Sequence, residues 1–91
     1  MTVAEAREVL HVDAGTNDDL ITALVAALPD YIETTTGLEV SNQSSEPLVK
    51  TVEGLIITQW YYADHADDQS LTRTINALLK AISVRARAYA E

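Results

Sequence analysis

Apolar residues recur at helical spacing along most of this chain, and the breaks between recurrences divide it into four segments. The longest runs from Asn17 to Gly37. At about 100° per residue, Leu20, Ile21, Leu24, Val25, Leu28, Tyr31 and Ile32 share one face, and Asp19, Asp30 and Glu33 fall opposite. This predicts a central helix, with Leu24, Leu28, Tyr31 and Ile32 as its core anchors. Thr16 or Asn17 can cap its start, Asp18 and Asp19 suit the positive end of its dipole, and Gly37 suits a left-handed terminus. Pro29 withholds an amide hydrogen from the Val25 carbonyl. Tyr31 and Ile32 nevertheless resume the apolar face in phase, so the pattern predicts one kinked helix rather than two.

The flanking segments are shorter. Thr2 followed by Glu5 fits a capping box, which predicts a helix from Val3 to about Leu10 with Val3, Ala6, Val9 and Leu10 on its apolar edge. HVDAGTN then makes a turn, where Gly15 is free to take positive φ. After the central helix, LEVSNQSSE lacks a helical period and predicts a polar surface loop, with Leu38 and Val40 alternating as in a short extended piece. Ser45 is the expected cap of a third helix carrying Glu46 and Pro47 in its first turn. Leu48, Val52, Leu55, Ile56, Trp60 and Ala63 form its core stripe, with Leu55 and Trp60 as anchors. A second line on the same helix, Lys50, Gly54, Ile57 and Tyr61, turns away from that stripe and offers a contact face for another subunit.

ADHADDQS reads as a connection. Ser70 caps the fourth helix, with Asp67 and Asp68 near its positive end. Its core face is Leu71, Ile75, Leu78, Leu79, Ile82, Ala86 and Tyr89, with Leu78 and Ile82 as anchors, and a basic line of Arg73, Lys80 and Arg87 lies opposite. The expected architecture is an all-α, four-helix domain spanning residues 1–91.

Composition sharpens this picture. The chain has 91 residues, so its core is modest and self-association is a natural supplement to its stability. It has no cysteine, which excludes disulfides and thiolate metal sites. No apolar run approaches the roughly 20 residues of a membrane span, and MTVAEAREVL lacks signal-peptide order, so a soluble, unprocessed chain is expected. Its formal charge is −8 at pH 7, which argues against a domain that grips nucleic-acid phosphates. That charge is lopsided: residues 1–49 carry nine acids against Arg7 alone, whereas residues 50–91 carry five acids and five bases.

Residues that could carry catalysis or bind a metal or cofactor do not converge. DAGTNDD has Gly15 where a calcium loop needs a ligand, and no glutamate closes a twelve-residue loop. His65 sits among Asp64, Asp67 and Asp68, which reads as a solvated acidic connection rather than a divalent-ion site. Asp68-Gln69-Ser70-Leu71 interrupts the Asp-Ser-Leu triplet of acyl carrier proteins and precedes the last helix. The expectation is a non-enzymatic protein without metal or cofactor.

In order and spacing, the DAGTNDDL turn, Asp18-Asp19-Leu20-Ile21, Tyr31-Ile32-Glu33 with Thr36-Gly37, and Trp60-Tyr61-Tyr62 resemble the head-tail connector (adaptor, or head-completion and DNA-packaging) family of long-tailed phages. The resemblance covers roughly residues 5 to 89. Ala63-Asp64-His65 stands where members often place an Arg, and Pro29 where they have a helix former. The resemblance implies a virion subunit at the head-tail junction, made in the host cytoplasm. It implies a homo-oligomeric ring beneath the portal protein that extends the DNA channel and presents a platform for the next connector or the tail; the surplus negative charge suits DNA passing through that channel without specific binding.

The residues add a suggestion of how copies meet. Asp19, Asp30 and Glu33 of one copy can approach Arg73, Lys80 and Arg87 of the next, a heterologous contact that closes a ring if the rotation allows. Exposed pairs contribute only about 0 to 1 kcal/mol each, so apolar contacts are expected to supply most of the assembly energy and charge to set orientation. The alternative is a small acidic adaptor or regulator that binds one host protein through the Lys50–Tyr61 line.

Overall fold

The computed structural model describes residues 1–63 and 69–89 and is all-α. Among the described residues five α-helices follow in order: α1 (Val3–Leu10), α2 (Asp18–Thr36), α3 (Val40–Gln43), α4 (Pro47–Tyr61) and α5 (Gln69–Tyr89). The helices α2, α4 and α5 pack against one another, and α1 lies across α2 and α4. Their contact lines merge into one core whose fully buried side chains include Leu10, Ile21, Leu28, Ile32, Val52, Ile56, Ile57 and Ile82.

The capping box of α1 forms: the Thr2 hydroxyl accepts from the Glu5 amide at 3.1 Å and the Glu5 carboxylate accepts from the Thr2 amide at 2.9 Å. His11 ends the helix in the left-handed region at φ 59°, a conformation in which His is enriched among non-glycine residues. The Tyr62 hydroxyl donates to the Leu10 carbonyl at 2.7 Å, tying this end of α1 to the end of α4.

Helix α2 runs through Pro29 as a single element. Asn17 stands at its N-cap but in the left-handed region, with no capping bond from its side chain. Its amide instead donates to the Tyr61 hydroxyl at 2.6 Å, and the Arg7 guanidinium pairs with Asp18, so the start of α2 is fixed by α1 and α4. At the far end Gly37 takes φ 81° as the left-handed terminus, and the Thr36 hydroxyl donates to the Ile32 carbonyl at 2.6 Å while accepting from the Leu38 amide at 3.1 Å.

Residues 38–46 correct the loop expected there. Leu38 is buried, and α3 forms because the Glu33 carboxylate of α2 accepts from the Val40 amide at 3.0 Å. Gln43 is buried and donates from Nε2 to the carbonyls of Pro29 at 2.9 Å and Leu38 at 3.2 Å. The cap of α4 is Glu46 rather than Ser45: its side chain accepts from the Leu48 amide at 3.3 Å, directly ahead of Pro47.

The core stripe of α4 is also rotated from its expected position. Val49, Glu53 and Ile57 are buried, whereas Ala63 is exposed. The reason is α1, which covers the line expected to face another subunit. Ile57 is fully buried, and the Val9 side chain lies 3.8 Å from where a Cβ on Gly54 would sit. On the same line Tyr61 is half-buried against the core, and Lys50 reaches Glu5 at 3.2 Å.

Of the expected anchors, Leu28, Ile32 and Ile82 are fully buried, and Leu24, Leu55, Trp60 and Leu78 are partly buried against the core. Tyr31 lies further out, 37% exposed, with its ring edge-on to Trp60 at a centroid distance of 5.2 Å. Leu20 and Tyr89, expected inside, are both exposed. Ser70 lies within α5 rather than capping it. The Asp67 and Asp68 dipole contacts and the Asp64–His65 arrangement fall outside the described residues.

Candidate functional site

Two helix faces and one groove hold the charged residues singled out by the sequence. The first face is the outer side of α2. Its buried residues Ile21, Leu28 and Ile32 point inward, so at about 100° per residue Asp19, Ala23, Ala26 and Asp30 point away from the core, and all four are exposed. Glu33 is exposed at the edge of this face, and its bond to the Val40 amide holds the carboxylate in place.

The second face belongs to α5. Ile75, Leu79, Ile82 and Ala86 are buried, and Arg73, Lys80 and Arg87 line the opposite side, exposed. Val84 lies among them and is 57% exposed, the most exposed large apolar side chain of the described residues. Because α2 and α5 pack core side to core side, these charged faces point away from each other and cannot meet within one chain.

The ion pairs formed among the described residues use other groups: Arg7–Asp18, Lys50–Glu5 at 3.2 Å, Arg85–Glu46 at 2.7 Å and the Met1 amine–Glu53 at 3.7 Å. Asp19, Asp30, Glu33, Arg73, Lys80 and Arg87 take part in none of them. A solvated helix surface ordinarily mixes signs and gains from neighbouring opposite charges. Here each of the two faces carries one sign alone.

The groove lies between α1, α3 and α4, encloses about 640 Å³, and is lined by Met1, Glu5, Gln43, Glu46, Lys50 and Glu53 among others. The Thr2 amide and the Lys50 ammonium hold the Glu5 carboxyl down at about 2. Burial pushes the Glu53 carboxyl up, with the Met1 amine opposing that shift. All three of its acids are engaged by cations of the same chain, so the groove is a braced seam rather than an open acid–base pair. No group of three His, Asp or Glu side chains gathers as a metal site would require among the described residues.

Gln43, Glu46 and Glu53 are the residues of this region that the pattern did not single out. Glu46, one position before Pro47, carried a readable capping signal; Gln43 and Glu53 carried none. Val84 could have been placed from the helical projection alone, since it falls amid the basic line.

The fold and these faces define a class: a small all-α domain whose outer helices present opposite charges to the surroundings. No helix of the described residues is long and apolar enough to cross a membrane. Comparisons with family profiles, with characterised proteins and with solved structures find no match to the chain.

Proposed function

We propose that this protein is a non-enzymatic structural subunit of a ring connector between the portal and the tail of a long-tailed phage. The observation that supports this reading is the pair of single-sign outer faces, acidic on α2 and basic on α5, pointing away from each other in one subunit. Among the described residues neither face has an ion-pair partner, and a second copy supplies one. Repetition of such a contact builds a ring when the rotation per subunit closes. The partners on this reading are further copies of the chain, the portal protein above and the next connector or tail protein below. The net charge of −8 fits a channel past which DNA slides without sticking, since like charges repel.

Electron microscopy of tail-less, portal-bearing capsids mixed with the purified protein tests the reading. A ring of added density at the portal vertex is the expected result. Capsids left bare beside a protein that stays monomeric overturn it. The rival role is an adaptor binding one host protein through the Lys50–Tyr61 line of α4, where α1 packs over Gly54 and Ile57 is buried; a stable one-to-one complex with a host protein would favour it.

A further inference from the structure

We infer that copies of this chain join head to tail through the outer face of α2 and the outer face of α5, the two helices running antiparallel in a single register. The contact rests on the reading of the chain as a self-assembling subunit and adds its polarity, direction and pairing.

The polarity follows from sign. The outer face of α2 carries Asp19 and Asp30 with Glu33 at its edge, and that of α5 carries Arg73, Lys80 and Arg87. Two α2 faces brought together repel, and so do two α5 faces, which disfavours a symmetric dimer through either. The attractive combination is acidic on basic. Because the two faces of one subunit point away from each other, each copy offers both sides of that contact at once and the association propagates.

The register follows from spacing. Asp19 and Glu33 are fourteen residues apart, and so are Arg73 and Arg87, which places both end pairs roughly 21 Å apart along straight helices. Laid antiparallel, Glu33 meets Arg73 and Asp19 meets Arg87, with Asp30 and Lys80 between them within reach of a long lysine stem. Antiparallel alignment also brings the positive start of α2 to the negative end of α5. Between the charges each face is small and apolar, with Ala23 and Ala26 on α2 and Ala77 and Val84 on α5, all exposed. Helices with such side chains can approach at the near end of the usual 8–10 Å spacing. In this register Val84 comes to rest beside Ala23, which gives its exposed side chain an apolar neighbour.

The chain has no cysteine, so single cysteines report the pairing directly. Ala23→Cys and Val84→Cys proteins are mixed at high concentration and low salt under mild oxidation, alongside a mixture of Ala23→Cys with Ala77→Cys. The antiparallel register predicts a mixed disulfide in the first mixture, at least several-fold more abundant than in the second or in either variant alone. Dominant cross-linking of Ala23→Cys with Ala77→Cys overturns the direction, since a parallel alignment pairs those positions. Dominant self-cross-linking of Ala23→Cys overturns the polarity, and no mixed disulfide overturns the contact. A ring at the portal vertex whose subunits fail to cross-link through Ala23 and Val84 removes this contact and leaves the connector reading standing. Cross-linked open filaments that never decorate a capsid do the reverse.

Discussion

Arg85 of α5 donates from Nη1 to Oε1 of Glu46 at 2.7 Å, joining residues thirty-nine positions apart. The acid is nearly buried, with its side chain 4% exposed, while the arginine is 55% exposed. Their roles are therefore unequal. Arg85→Ala leaves Glu46 with only the Leu48 amide as partner and is expected to destabilise the fold by about 2 kcal/mol. Glu46→Gln in the same background should recover much of that loss, because the neutral amide no longer needs a counter-charge. Urea titration of the two single variants and the double variant measures the coupling; additive effects would contradict it.

Gln43 holds the turn after α2 to the helix itself. Gln43→Leu removes the donor for the Pro29 and Leu38 carbonyls, and a loss of about 1–3 kcal/mol is expected. Pro29→Ala should act in the opposite direction. It restores the amide that α2 lacks at that turn and is expected to stabilise by about 1–2 kcal/mol after allowing for the freer unfolded chain. Opposite movements of the two thermal midpoints are the outcome to look for.

Ile57 and Gly54, three residues apart on one line of α4, should respond very differently. Ile57 is fully enclosed, so Ile57→Ala is expected to cost about 2–5 kcal/mol and Ile57→Asp to abolish the folded state. Gly54 has ordinary contact distances around a would-be Cβ, and Gly54→Ala should stabilise by about 0.5–1 kcal/mol through helix propensity. Circular dichroism melts resolve both.

Glu53 and Glu5 pull the pH dependence in opposite directions. Burial raises the Glu53 pKa above its ordinary 4.5, so the folded state binds that proton more tightly than the unfolded state does. Its contribution therefore favours folding as pH falls through the raised value towards 4.5, and disfavours it as pH climbs back. Glu5, held at about 2, does the reverse: its contribution is complete above 4.5 and is lost as pH falls towards 2. Met1, Glu5 and Lys50 are the other charged groups acting on Glu53, the amine and ammonium favouring its ionised form. Relative to the parent, Glu53→Gln should lack the gain on mild acidification, and Glu5→Gln should lack part of the loss in strong acid. Thermal midpoints recorded across acidic and neutral pH decide this.

Lys80→Glu reverses the middle charge of the basic α5 face without touching the core. It is expected to leave the melting temperature nearly unchanged and to weaken self-association, most strongly at low salt where screening is least. Sedimentation velocity at two ionic strengths checks both expectations, and unchanged association would remove the charge pairing. Gel-shift assays at low salt should show no affinity for duplex DNA.

Much of the fold was legible along the chain because it is local. The Thr2–Glu5 capping box, Gly37 at the end of α2, and the inward positions Ile21, Leu28, Ile32, Ile75 and Ile82 each follow from spacing that one helix satisfies by itself. The charges opposite those positions are legible for the same reason: once the buried side of α2 or α5 is known, its outer side follows.

Tertiary structure decided what depends on a neighbour far away in the chain. Nothing within LEVSNQSSE signals a helix, since the carboxylate that starts α3 comes from Glu33 and one of the two carbonyls that hold Gln43 belongs to Pro29 in α2. Lys50, Gly54, Ile57 and Tyr61 form an open surface line only while α1 is left out; once Val9 and Leu10 lie against α4, Ile57 is buried and Gly54 and Tyr61 are partly covered, while Lys50 stays exposed at the end of the line. Helical period locates the faces of a single helix. Which of those faces is covered is a property of how several helices stack, and side-chain hydrogen bonds spanning fourteen to fifty-two residues are what fix that stacking here.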